Sequence, residues 1–355
     1  MLLPLLFACT APTEDTAASE HYDAPDSAGS FTAVSYQSTV TARGGETLPV
    51  QVWYPSREGD LGDVVEYDGI WTDQARSQGE AACGVPRPVI LFSHGNGGVR
   101  WQSTFFTEMA AAHGYIVVAP DHVGNTLTDI GDVDRDTVAL RRPHDIQDAY
   151  EWLLSESSTV GSRLYGCAQE SDGYAVVGHS FGGFTSLFLS GAQIDTAALS
   201  SACETDGGGW LCGIPEIAQE AVVSRKDERI WAAVPMTPVG AQTFGAQLSA
   251  QDTPILVLGG ELDDLTTMAQ QVTPIYEGVG GSPAYLATLE GAGHYSFSVM
   301  CSLVPSFNGC GEGFLDHETT IRVTNELTLG FLGEQRGYEA SAFLPTEGPV
   351  EWTAR

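Results

Sequence analysis

The sequence predicts a single α/β domain, a mostly parallel sheet covered by helices and entered through an antiparallel hairpin. Three observations carry that reading. Short, unbroken apolar runs recur at 88–92, 115–119, 174–177, 230–234, 254–258 and 284–289, the pattern of parallel strands buried on both faces. Helical patterns lie between several of them, at 101–113, 143–157, 181–190 and 265–276, with a last one at 316–332. Ahead of all of these, 31–42 and 46–54 are rich in β-branched and aromatic residues and flank Arg43-Gly44-Gly45, a hairpin signal.

The connections follow in chain order. Residues from 55 to Arg87 read as a long loop with one short helix. Residues 193–228 interrupt the alternation and are expected to form a lid-like insertion. The catalytic domain then spans 31–335, and 336–355, without clear periodicity, reads as a tail on its surface. Apolar residues make up 43% of the 355, enough for a large core and against disorder of the whole chain. Fifteen Lys+Arg face 46 Asp+Glu, a formal net charge of -31 that repels polyanions and excludes nucleic acid as a partner. No apolar run approaches the ~20 residues a membrane-spanning helix needs.

The N-terminus differs from the rest. Leu6-Phe7-Ala8-Cys9 is similar to a lipobox, which implies that Cys9 is acylated and anchors the chain to a membrane. Residues 1–30 then comprise a signal remnant and an acidic tether, and the protein is expected to be exported: periplasmic, a cell-surface lipoprotein or secreted. Setting Cys9 aside leaves an even number of cysteines, as an oxidising compartment favours. Close spacing suggests Cys203–Cys212 and Cys301–Cys310, which leaves Cys83 and Cys167. Each of these last two precedes an apolar run read as a strand, and they are the third candidate pair among the 15 pairings that six cysteines allow. None of the spacings is that of a zinc site, and no metal is expected.

Chemistry concentrates after the strands. Gly178-His179-Ser180-Phe181-Gly182-Gly183 follows one apolar run and opens a helix. In G-x-S-x-G the small residues let the chain turn sharply, exposing the serine hydroxyl at a helix N-terminus. A serine nucleophile needs a base and an orienting acid, and after a G-x-S-x-G turn of this kind the acid and then the histidine follow in the chain. The run 254–258 ends in Gly259-Gly260-Glu261-Leu262-Asp263-Asp264, and Gly291-Ala292-Gly293-His294 follows the next. Ser180, Asp263 and His294 are therefore the candidate triad, with Asp264 and Glu261 competing for the acid role. Ser93-His94-Gly95-Asn96-Gly97-Gly98 offers backbone N–H groups for an oxyanion hole, with Asn96 and Phe181 as the candidate donors. His94, Gly95, Trp101, His122 and Phe297 are candidates to line the substrate pocket.

These motifs resemble a known family. Residues 93–98, Ala119-Pro120-Asp121-His122-Val123-Gly124-Asn125-Thr126, Arg142-Pro143-His144-Asp145-Ile146, the serine turn and Glu290-Gly291-Ala292-Gly293-His294 are together similar to the platelet-activating-factor acetylhydrolase and predicted dienelactone-hydrolase-like branch of the α/β hydrolases. The glycine-rich approaches to Asp263 and His294 also resemble cutinase-like polyester hydrolases. The resemblance implies an α/β-hydrolase fold and a Ser-Asp-His carboxylesterase working through an acyl-enzyme on short-acyl or phospholipid-like esters, without cofactor or protein partner. A cutinase-like polyester hydrolase is the enzymatic alternative, and a surface binding protein on the same scaffold the non-enzymatic one. Asp132-Val133-Asp134-Arg135-Asp136 starts like a calcium loop but lacks its glycine and its last glutamate, so it reads as an exposed acidic loop. Arg142 and Asp145 flank Pro143 at an expected helix start, where capping accounts for them.

Overall fold

In the computed structural model, which describes residues 23–57, 61–205, 210–338 and 349–355, the apolar runs form the middle of one sheet. Its elements begin with β1 (Thr32–Thr41), β2 (Thr47–Ser56), β3 (Val64–Tyr67), β4 (Trp71–Arg76), β5 (Val89–Ser93), α1 (Thr104–Ala112), β6 (Ile116–Pro120), α2 (Arg135–Ser158), β7 (Tyr174–His179) and α3 (Phe181–Leu189). The insertion holds β8 (Gln193–Asp195), α4 (Thr196–Thr205), α5 (Ile214–Ile217) and β9 (Val222–Ser224). There follow β10 (Ile230–Met236), α6 (Ala241–Phe244), β11 (Ile255–Gly260), α7 (Thr273–Gly278), β12 (Ala284–Leu289), α8 (Met300–Leu303), α9 (His317–Gln335) and β13 (Val350–Ala354). Among the described residues the main sheet runs β13-β12-β11-β10-β7-β5-β6-β2-β1-β4-β3. From β6 through β5, β7, β10 and β11 to β12 every neighbour is parallel.

Alternation along these strands separates the core into two layers. Leu91, Val176 and Val257 face the side of α2 and α3, packing with Ile146 and Phe188. Ile90, Val177 and Leu258 face the other side, with Phe106 of α1 and Leu327 of α9. Side chains that alternate onto two buried faces leave no place for polar residues, which is why the strand sequences are apolar without interruption. Helix starts are set by aspartates: Asp134 accepts from the N–H groups of Asp136 and Thr137, and Asp316 from that of Thr319. Asp134, in the acidic loop, is thus a helix cap.

Four expectations are corrected. Among its described residues the stretch from 55 to Arg87 holds not a helix but the β3–β4 pair, turned by Asp68 and Gly69 at positive φ; Asp-Gly between β-rich runs is itself a turn signal. The second helix begins at Arg135, so Pro143 lies inside it and not at its start. The helix expected over 265–276 is a π turn at Met268–Val272 followed by α7. The C-terminal tail ends in β13, antiparallel to β12, with Trp352 stacked on Tyr285 at 5.0 Å. No helix of the described residues is long and apolar enough to cross a membrane. Cys9 and the tether before residue 23 lie outside the described residues.

The three cysteine pairs are bridged as Cys83–Cys167, Cys203–Cys212 and Cys301–Cys310, with Cα separations of 4.7, 5.9 and 5.3 Å. Cys83 and Cys167 do precede the adjacent strands β5 and β7. Three bridges in one chain are consistent with export to an oxidising compartment.

Candidate active site

The C-terminal ends of the parallel strands open onto one cleft of about 680 Å³, the position where open α/β sheets bind ligands. Strand β7 ends at His179, and Ser180 takes φ 57 and ψ −112 before α3 begins at Phe181. A left-handed serine is a strained turn. The flanking glycines permit it: a Cβ at Gly178 would overlap the Gly182 carbonyl, and one at Gly182 would overlap the Ser93 carbonyl. Ser180 and His294 both line the cleft.

Of the competing acids, geometry selects one beside the histidine. The Nδ1 of His294 lies 2.8 Å from Asp263 Oδ2. The same oxygen accepts from Thr266 Oγ1 at 2.6 Å, while Oδ1 accepts from the N–H groups of Leu265 at 2.8 Å and Thr266 at 2.7 Å. Burial opposes the charge on Asp263, but the His294 bond and charge and the Thr266 bonds outweigh it, holding the carboxyl below its ordinary range. Asp264 is exposed and faces Asn308, and Glu261 accepts from the Gly291 N–H.

The glycine loop after β5 commits the N–H groups of its glycines. The Gly95 N–H goes to Gln102 Oε1, Gly97 to the Asn125 carbonyl and Gly98 to the Gly95 carbonyl. Among the described residues the Asn96 N–H has no such acceptor, and Asn96 lines the cleft. His179, between the elbow glycine and the serine, bridges the loops: its Nδ1 lies 3.0 Å from Gln102 Nε2 and its Nε2 2.9 Å from the His294 carbonyl. Burial, reinforced by neighbouring His294, lowers its pKa to about 3, so the ring is neutral. It therefore accepts from Gln102 and donates to the His294 carbonyl.

Gly95, Asn96 and Trp101 stand on the cleft wall. His94, His122 and Phe297 do not, being fully buried behind it. His94 accepts at Nε2 from the His122 N–H and donates from Nδ1 to the Gly95 carbonyl. His122 bridges Ser93 Oγ at 2.9 Å and Asp145 Oδ2 at 2.8 Å. The Phe297 carbonyl accepts from Ser103 Oγ. The Phe181 side chain packs instead on Trp210, at 4.5 Å between ring centroids. Trp210, from the insertion, and Ile70, from the β3–β4 turn, line the cleft without a sequence signal that points there. Leu303 and Phe307, from the loop closed by Cys301–Cys310, and Met300 just before it extend its apolar wall.

No family model matches the chain. Its curated relatives are distant. Cutinase 1 of Thermobifida cellulosilytica is 24% identical over 260 residues, covering 71% of this chain and 78% of the relative. The cutinase of Thermobifida fusca strain YX is 24% identical over 260 residues, covering 71% and 68%. These are cutinases. The homology supports the α/β-hydrolase superfamily, in agreement with the mostly parallel sheet and its flanking helices.

Proposed function

We propose that this protein is a serine carboxylic-ester hydrolase acting through an acyl-enzyme, with Ser180, Asp263 and His294 as its triad. The observation that carries the reading is the His294–Asp263 hydrogen bond of 2.8 Å at a cleft that Ser180 also lines. Asp263 accepts the Nδ1 proton of His294, which leaves Nε2 as the basic nitrogen. His294 takes the Ser180 proton as Oγ attacks the ester carbonyl. The N–H groups of Asn96 and Phe181 hold the developing oxyanion, and the alcohol leaves with the proton from His294. A water activated by His294 then releases the acid. The reaction so written draws on no metal or organic cofactor.

Ile70, Trp210, Leu265 and Leu303 on the cleft wall suit an uncharged acyl or alkyl chain, and the net charge of -31 disfavours polyanionic substrates. The finer reading is a short-acyl or phospholipid-like ester, with the insertion carrying Trp210 as a lid-like wall. The similarity to cutinases favours a second reading, a polyester hydrolase. A panel of soluble esters from acetyl to long acyl, phospholipids with a short second chain and an insoluble polyester film separates them. Ser180→Ala should abolish turnover in every active arm with the fold intact. A binding protein on this scaffold would instead resist labelling of Ser180 by a fluorophosphonate.

A further inference from the structure

Beneath the glycine loop lies an arginine that the reaction above does not use. Arg142, on α2, is completely buried. Its Nε donates to Thr185 Oγ1 at 3.0 Å, its Nη1 to Asn125 Oδ1 at 2.6 Å, and its Nη2 to Ser93 Oγ at 3.1 Å and to the His94 carbonyl. Its guanidinium carbon stands 4.6 Å from the centroid of the Phe181 ring. Every direct hydrogen-bond partner is neutral, an expensive setting for a buried cation.

The partners lead to both candidate oxyanion donors. Asn125 passes the contact on through its Nδ2, which donates to Asn96 Oδ1 at 2.9 Å, and its carbonyl accepts the Gly97 N–H. Thr185 donates in turn to the Phe181 carbonyl at 3.0 Å. An arginine only donates, so Ser93 Oγ accepts from Arg142; with the neutral His122 ring carrying its proton on Nδ1 toward Asp145, Ser93 gives its own proton to Nε2. Asp145 acts on the guanidinium through its charge but is joined to it by hydrogen bonds only by way of His122 and Ser93.

We propose that Arg142 is a positioning residue for oxyanion stabilisation, tying the glycine loop to the head of α3 so that the Asn96 and Phe181 N–H groups converge on one point. The proposal rests on the ester-hydrolase reading. A buried arginine that merely glued the core would not need to join these two segments, and its loss would show in stability alone.

The test compares Arg142→Lys with Asn125→Ala, which removes only the strut to Asn96, on a soluble ester turned over by the wild type. Both variants should lose roughly 10- to 100-fold in kcat, below the loss of a donor outright, with KM within about threefold. A trifluoromethyl ketone, whose carbonyl carbon is attacked by Ser180 Oγ to leave an oxyanion, should weaken by the same factor as kcat/KM falls. A non-reacting product alcohol should bind unchanged. Folded Asn125→Ala with kcat within twofold of wild type overturns the proposal even if Arg142→Lys does not fold. So does a ketone affinity that fails to track kcat/KM. Failure of the underlying reading looks different: the wild type itself would resist fluorophosphonate at Ser180 and hydrolyse no ester that Ser180→Ala abolishes, and the proposal falls with it.

Discussion

Asp263→Asn changes one atom, and the structure dictates which way the new amide must face. Oδ1 of Asp263 accepts two backbone N–H groups, from Leu265 and Thr266. An NH₂ group there would oppose two donors, so the amide oxygen takes that place and the NH₂ occupies the position of Oδ2. That position lies 2.8 Å from His294 Nδ1. The amide now donates to Nδ1, which must give up its proton, and the proton of the neutral ring moves to Nε2. A histidine protonated at Nε2 cannot take the proton of Ser180. The same change in a triad of this logic costs about 10⁴-fold in kcat, or about 5 kcal/mol of transition-state stabilisation. Both backbone bonds survive, so the fold should too. The assay is kcat on a soluble activated ester, with circular dichroism as the fold control and Asp264→Asn alongside. Exposed Asp264 accepts from Asn308 Nδ2 at 3.3 Å, and its variant should stay within about twofold. A loss under about tenfold in Asp263→Asn, or a greater loss in Asp264→Asn, would refute the tautomer argument.

Three further outcomes are expected. Replacing Cys83 and Cys167 by serine opens a loop of sequence separation 84 and should cost up to about 4 kcal/mol. The melting temperature should fall on the order of 10 °C while activity at 25 °C changes less than twofold, since the bridge precedes β5 and β7 at the edge remote from the cleft; a reversed ranking of the two effects defeats it. Burial, with Asp73 nearby, raises the Glu108 carboxyl to about 7, and burial raises Asp145 to about 7. A raised acid pKa stabilises fully below the unfolded value and is lost as pH rises through the folded one, whereas the buried neutral His179 has the opposite slope. The acid is therefore read as a difference: the unfolding free energy of the wild type minus that of Glu108→Gln should fall between about pH 4.5 and 7, and a flat difference there contradicts it. Arg100→Met leaves buried Asp121 without its partner and should cost about 3–5 kcal/mol in stability, with denaturant unfolding as the check.

Elements with one dominant signal were legible from the sequence. Unbroken apolar runs located β5, β6, β7, β10, β11 and β12, because a strand buried on both faces admits little else. The candidate triad was legible as positions after strands, with Asp263 preferred to Asp264 and Glu261; what the sequence did not carry is the physical setting of that carboxylate, with the Leu265 and Thr266 amides and His294 around it. Pro143 misled the reading of α2: proline favours a first turn, whereas here the helix starts at Arg135 under the Asp134 cap. That shift moved Arg142 and Asp145 from an apparent cap into the buried middle of the helix. His94 and His122 look like pocket residues because they follow strands. The His122 ring turns inward to Ser93 and Asp145, and the His94 ring to the His122 N–H and the Gly95 carbonyl. Trp210 and Ile70 reach the cleft through tertiary packing of an insertion and a hairpin, for which no local pattern exists.

How the cations are used distinguishes fold from site. Of the 15 Lys+Arg in the sequence, two arginines are buried among the described residues, Arg100 and Arg142, and they hold opposite ends of the same glycine loop. Arg100 is conventionally compensated. It pairs with Asp121 at 2.7 Å and with Asp68 at 2.5 Å, and Asp68 also accepts from Trp101 Nε1. This fixes the turn that brings Ile70 to the cleft. Arg142 has no carboxylate among its direct hydrogen-bond partners. If fold stability alone were at issue, a buried cation among neutral acceptors would be exchangeable for an apolar side chain of similar volume. No apolar residue, however, can donate to Thr185, Asn125, Ser93 and the His94 carbonyl at once. What such an exchange would lose is the common reference for two backbone segments that must present N–H groups to one oxygen. Local consistency gives way where a site demands it, and the unpaired guanidinium marks the place in this chain.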